Sequence, residues 1–230
     1  MDFPRVKYSQ LEAKLKETNL DSDNYIQKAL REIPELYKLF KRRNGPPTPE
    51  GHLYPAAMYA IEYLQAAQGK SNEPLRYVVN SGLLVAGALL HDVMDGLLAK
   101  EYFLKMFGKE LFRIVEPLTK PYMFPRGDTA EKRRQEFRER DSEHFVKLES
   151  APAESKIIRL AGRLHNMHCV DYPKLLERYI QDAEVLYLPF AQKYSPFFYE
   201  KINQRTAQLV KLQDSKFRKF LYFSIMHPSI

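Results

Sequence analysis

The sequence predicts an all-α single domain, and three observations carry that prediction. Apolar residues recur at three- and four-residue spacing along most of the chain. Strand signals are nearly absent, with no alternating run between Asn-Gly or Asp-Gly turns. Proline and glycine gather between the periodic stretches, where they end helices rather than interrupt them.

Taken in order, SQLEAKLKETN (9–19) and DNYIQKALREIPELYKLFKRR (23–43) read as amphipathic helices, the second nicked by Pro34. NGPPTPEG (44–51) reads as a loop, because three prolines and two glycines in eight residues cannot sustain a helix. A helix is expected from His52 to about Ala67, with Ala56, Tyr59, Ala60 and Tyr63 on one face. SGLLVAGALLHDVMDG (81–96) is the most apolar stretch and should be a core helix. LAKEYFLKMFGKELFRIVEPL (98–118) gives two shorter helices hinged at Gly108 and stopped by Pro117.

KPYMFPRGD (120–128) is loop, and TAEKRRQEFRERDSEHFVKLE (129–149) is a long helix whose mixed charges mark a solvated face. AESKIIRLAGRLHNMHCV (153–170) is a further apolar helix. From Pro173 the stripe Leu176, Tyr179, Ile180, Ala183, Leu186, Tyr187 and Phe190 has core spacing. Tyr194-Ser195-Pro196 breaks it before a last, basic helix whose apolar face is Leu209, Leu212, Phe217 and Leu221. The expected division is 1–43 as N-terminal helices packing on the domain, 44–195 as its core and 196–230 as a C-terminal basic helix.

Composition bounds the partners. At 230 residues with 44% hydrophobic side chains the chain can bury a core without staples, and the lone Cys169 excludes a disulfide framework or a CxxC-type zinc cluster. No apolar run approaches the roughly 18 residues of a membrane span, and MDFPRVKYSQ lacks a signal core, so a cytoplasmic, non-membrane protein is expected. The net charge of +7 points to an anionic partner. Residues 201–220 alone hold six basic and one acidic side chain, however, and elsewhere the charges nearly balance, which disfavours a nucleic-acid partner.

The chemistry-bearing residues begin with His91-Asp92, which end the most apolar helix, and Asp95, placed by helical spacing on the same face. Such groups are costly to bury unless paired or bound to a cation. Imidazole nitrogen and carboxylate oxygen together suit manganese, iron, zinc or magnesium. For an isolated pair, a helix cap facing solvent is the plainer reading. RLHNM (163–167) on a second apolar helix and His52 at the head of a third change that balance.

His52, ALLHDVMDG, FGKELFRIVEPLTK and KIIRLAGRLHNM, in this order over roughly residues 40–195, resemble the RelA/SpoT-type hydrolase domain of the HD superfamily. The resemblance implies an HD-superfamily helical bundle with a divalent-metal site, typically manganese. It also implies removal of the 3′-pyrophosphate from (p)ppGpp, so that the partner is a small guanosine nucleotide. Matched residue by residue, His52, His91 and Asp92 fall on metal ligands, and Arg43 on the arginine that stacks on guanine. Asn166 falls on the asparagine that contacts the nucleoside, and Lys120 sits where a lysine meets phosphate. Arg163 and His165 belong to the motif as helix-positioning residues.

Two departures matter. The family pattern HDxxED becomes His91-Asp92-Val93-Met94-Asp95-Gly96, leaving Asp95 as the catalytic carboxylate that orients water and glycine where an aspartate is expected. LADRLHNM becomes Leu160-Ala161-Gly162-Arg163, which removes the fourth metal ligand. Glu154 lies about 12 Å along the helix and cannot substitute. A divalent ion on two imidazoles and one carboxylate keeps a positive charge. Two readings follow: an enzyme whose metal is weakly held, or a nucleotide-binding protein that does not hydrolyse.

Overall fold

All nine residues Gly82–Leu90 of one helix are buried, and this sets the architecture, because a helix apolar on every side must be surrounded. It is helix α4 (Ser81–Leu90) in an order that begins with α1 (Tyr8–Glu17), α2 (Asn24–Leu36) and α3 (Tyr54–Ala67). Next come α5 (Lys100–Val115), α6 (Ala130–Glu149), α7 (Ala153–His168), α8 (Pro173–Asp182), α9 (Leu188–Tyr194) and α10 (Pro196–Met226). The computed structural model describes residues 3–38, 48–68, 72–75, 78–95, 98–121, 123–170 and 173–226, with side chains at all of these except 173, 174 and 215–226. No strand occurs among the described residues, and the all-α prediction holds.

Helices α2, α3, α5 and α7 all pack on α4. Leu84, Leu89 and Leu90 are fully buried there, each stabilising by about 1.5–3 kcal/mol relative to exposure. Gly87 lets the neighbours come close: a Cβ at this position would stand 2.7 Å from Ile158 Cδ1 and 2.9 Å from Ile114 Cγ2. Asn80 caps α4 by accepting from Leu83 N at 2.9 Å, while its own N–H donates to Glu154 Oε1 at 2.7 Å. Glu154 is thus tied to the far end of α4.

Several boundaries differ from the sequence reading. Residues Pro49–Leu53 form a π turn that leads into α3, although proline and glycine content marked them as loop and the helix was expected to begin at His52. The turn is held from outside, since Val6 N donates to Glu50 O at 3.0 Å and Arg5 pairs with the Glu50 carboxylate at 2.6 Å. α4 stops at Leu90, and residues 91–95 are a turn instead of the helix continuing to 96. Asp95 therefore does not share a helical face with His91. Gly108 breaks α5 as expected, with φ +84° and ψ 173°, a conformation that L side chains rarely adopt.

α6 is not wholly a solvated face. Asp141, His144, Phe145 and Leu148 are buried, and Phe145 packs edge-on against Tyr187 and Phe190 at 4.8 and 5.1 Å. On α10, Leu209 is buried but Leu212 is 37% exposed. Phe217 and Leu221 fall outside the described side chains. Of the basic residues in this helix, Lys201 pairs with Glu62 at 3.1 Å and Arg205 donates to Met167 O at 3.1 Å. No described helix is long and apolar enough to cross a membrane.

Candidate metal centre

Three elements converge below α4. The π turn carries His52, the turn after α4 carries His91 and Asp92, and α7 contributes Gly162. His52 Nε2 lies 3.0 Å from His91 Nε2 and 3.0 Å from Asp92 Oδ2, and His91 Nε2 lies 3.1 Å from Asp92 Oδ1. Donor atoms each about 2.0–2.2 Å from a shared ion stand roughly 3 Å from one another, so the three side chains fit one divalent cation. The donor set, two imidazoles and one carboxylate, is that of a metal of intermediate hardness. Both histidines are buried and Asp92 is 36% exposed, which leaves an approach from the cavity side.

The surrounding hydrogen bonds fix the ring orientations. His91 Nδ1 lies 2.8 Å from Ala88 O and can only donate to it, which leaves the lone pair of the neutral ring on Nε2, facing the cluster. His52 Nδ1 lies 2.9 Å from His165 Nδ1. His165 is fully buried, and its Nε2 is 3.3 Å from Cys169 Sγ and 3.5 Å from Pro4 O. The N-terminal segment that carries Pro4 also donates Phe3 N to Tyr59 Oη at 3.2 Å. His165 thus contacts a metal-ligand candidate directly, through the ring nitrogen of His52 that faces away from His91 and Asp92.

A cavity of about 270 Å³ opens from the cluster between α6, α7 and α8. Besides His52, His91, Asp92 and Gly162 it is lined by Lys120, Asp141, Arg159, Arg163, Asn166 and Arg178. Its cations are largely matched. Lys120 pairs with buried Asp141 at 2.9 Å, and Arg140 pairs with the same oxygen at 2.7 Å. Arg163 reaches Asp182 at 3.3 Å while donating to Tyr179 O at 3.0 Å, and Arg178 reaches Asp182 at 3.7 Å. Burial would raise the Asp141 carboxyl, but Lys120 and Arg140 overcome it and hold the group below the usual carboxylate range. Lys120 is lowered, first by burial and then by the charge of Arg159.

Of the residues singled out from sequence, His52, His91, Asp92, Lys120 and Asn166 lie on this one cavity. Arg43 and Gly96 lie outside the described residues. Asp95 is exposed in the turn beyond Asp92 and is not among the lining residues. Although the residue is exposed to solvent, protein packed around one side of its carboxyl desolvates it, and this, followed by the charge of Asp92, pushes it up to about 6. A Cβ at Gly162 would stand 3.4 Å from His91 Nε2, ordinary contact, so the glycine leaves room there for a side chain or for part of a ligand. Arg159, Asp141, Arg178 and Asp182 carried no signal in the sequence, since their meeting depends on how α6, α7 and α8 pack.

The HD domain family model matches residues 60–195. A GTP pyrophosphokinase of Myxococcus xanthus is 28% identical over 157 residues, a match covering 60% of this chain and 20% of that protein. The chain therefore spans about a fifth of the length of the curated relative it matches. Among solved structures, a metazoan ortholog of SpoT that hydrolyzes ppGpp and plays a role in starvation responses superposes with a TM-score of 0.53. That match is 15% identical and covers 80% of this chain and 95% of the other, a likeness of fold.

Proposed function

Since this chain belongs to the HD domain family, we propose that it is a metal-dependent phosphohydrolase that removes the 3′-pyrophosphate of (p)ppGpp or acts on a related phosphorylated nucleotide. The observation that carries the reading is the triangle of His52 Nε2, His91 Nε2 and the Asp92 carboxylate, with sides of 3.0–3.1 Å, on the wall of a cavity rich in arginine and lysine. A bound divalent ion, manganese in our reading, supplies a water of lowered pKa and positive charge toward phosphoryl oxygens.

The side chains do the rest. His91, with its Nδ1 proton donated to Ala88 O, and His52, backed by His165, present nitrogen lone pairs toward the cluster. Lys120 and Asn166 hold the nucleotide along the cavity wall and Arg43 stacks on the base, while the water-orienting role of Asp95, which is off the cavity lining, rests on the motif alone. In the reaction a water oxygen bonds to the phosphorus next to the ribose and the bond from that phosphorus to the 3′-oxygen breaks. The 3′-oxygen leaves with a proton, and GDP and pyrophosphate result from ppGpp.

Gly162 favours a second reading, nucleotide binding without hydrolysis, because the cavity wall beside His91 carries no carboxylate at that position. One assay separates the two. Purified protein with Mn²⁺ and ppGpp yields GDP and pyrophosphate if the first reading holds. Retained nucleotide with no turnover, in both the wild type and Gly162→Asp, supports the second and defeats the first.

A further inference from the structure

The cavity holds one cation whose position packing alone does not explain. Lys120, Arg163 and Arg178 each face Asp141 or Asp182. Arg159 lines the same cavity, and no described carboxylate lies within ion-pair distance of it. Its Nε is buried with no hydrogen-bond acceptor. The guanidinium rests 5.8 Å from the Tyr187 ring centroid and 5.9 Å from that of Phe145, within reach of both aromatic rings. Arg159 is half-buried, and an unmatched Nε costs on the order of 1–3 kcal/mol, which leaves the guanidinium open to an acceptor from outside the chain.

Arg159 and Gly162 are three residues apart on α7 and so share a face. A carboxylate at position 162 would stand within reach of Arg159 and partly neutralise it. Glycine leaves the arginine unopposed and opens space beside His91 Nε2. Its charge is felt nearby: after burial, it is the largest influence lowering both Lys120 and His144.

We propose that Arg159 is an anion-binding residue of this cavity, taking oxygens of a phosphate or pyrophosphate group in the space that Gly162 leaves open. A planar guanidinium fork matches two phosphoryl oxygens at once, as a lysine cannot. The identity of the anion rests on the phosphohydrolase reading above, but binding requires neither the metal nor turnover.

The test is calorimetric titration of inorganic pyrophosphate into chelator-treated, metal-free protein. Wild type binds, and Arg159→Met weakens binding by about tenfold or more, the loss of one charge-assisted contact. Gly162→Asp weakens it too and shrinks the further effect of Arg159→Met, because the new carboxylate has already claimed the guanidinium. Should Arg159→Met fail to fold, Arg159→Gln is expected to show the same loss. Unchanged affinity in the folded Arg159 variant, or no pyrophosphate binding by wild type, overturns the proposal. Pyrophosphate binding without ppGpp turnover leaves it standing and defeats only the hydrolase reading.

Discussion

His52 Nδ1 stands 2.9 Å from His165 Nδ1, although 113 residues separate the two in sequence. Two neutral imidazoles can share only one proton across such a contact, and its direction matters. If His52 holds it, the His52 Nε2 lone pair is free to face the metal, and His165 turns its own Nε2–H toward Pro4 O and Cys169 Sγ. The reverse arrangement puts a proton on His52 Nε2 and blocks ligation.

His165→Leu removes the acceptor while keeping an apolar side chain of similar size in a fully buried position. We expect Mn²⁺ affinity, measured by titration calorimetry, to fall about 10–100-fold. His165→Gln, whose side-chain oxygen can still accept from His52, should recover part of it. Equal affinities in all three proteins would show that the contact is packing and nothing more.

His144 gives a pH prediction outside the metal cluster. The residue is buried, its Nε2 has no acceptor among the described residues, and burial, then Arg159 and Lys120, lowers it to about 3. In the unfolded chain it titrates near 6.5. Between those values the unfolded state binds a proton that the folded state refuses, so stability declines as pH falls from about 6.5 toward about 3. Above 6.5 the residue contributes no slope. His144→Leu should flatten this part of the profile, read as urea midpoints at pH 7.5 and 5. An unchanged slope would mean that the ring is protonated in the folded state.

α7 was legible because its apolar stripe has a helical period, and α4 because a continuous apolar run of helical length has to be surrounded. The ligand candidates His52, His91 and Asp92 were legible through a motif, since the adjacent pair His91-Asp92 and the distant His52 sit on two separate turns that no local pattern joins. The π turn at Pro49–Leu53 was not legible, because its conformation is set by Val6 and Arg5 reaching across from the N-terminal segment. Asp141 looked like one charge among many on α6. Only the packing of that helix over the cavity turns it into the partner of Lys120.

Gly108 tests the backbone alone. A Cβ there would meet nothing within 4 Å, so Gly108→Ala creates no clash. The cost comes from φ +84° with ψ 173°, a region that L residues avoid at about 1–3 kcal/mol. Thermal and urea unfolding should show a loss of that size with metal affinity unaltered, since the break in α5 lies away from the cluster. A stabilised variant would mean that α5 straightens through this position without harm.

Gly162→Asp bears most directly on what the chain does with a metal. The Cβ contact of 3.4 Å to His91 Nε2 is ordinary, so the substitution fits sterically, and replacing glycine inside α7 gains helix propensity. Without metal the new carboxylate enters a buried wall beside two histidines and Asp92, and its desolvation offsets that gain. With metal it becomes a fourth ligand and removes the residual positive charge. The melting temperature without metal should therefore change little or fall slightly, while the rise on adding Mn²⁺ should exceed that of wild type. A tenfold gain in affinity at saturating ion corresponds to about 1.4 kcal/mol of extra stabilisation. If both proteins respond to Mn²⁺ equally, position 162 does not face the ion, and the weak-metal interpretation of the glycine has to be abandoned.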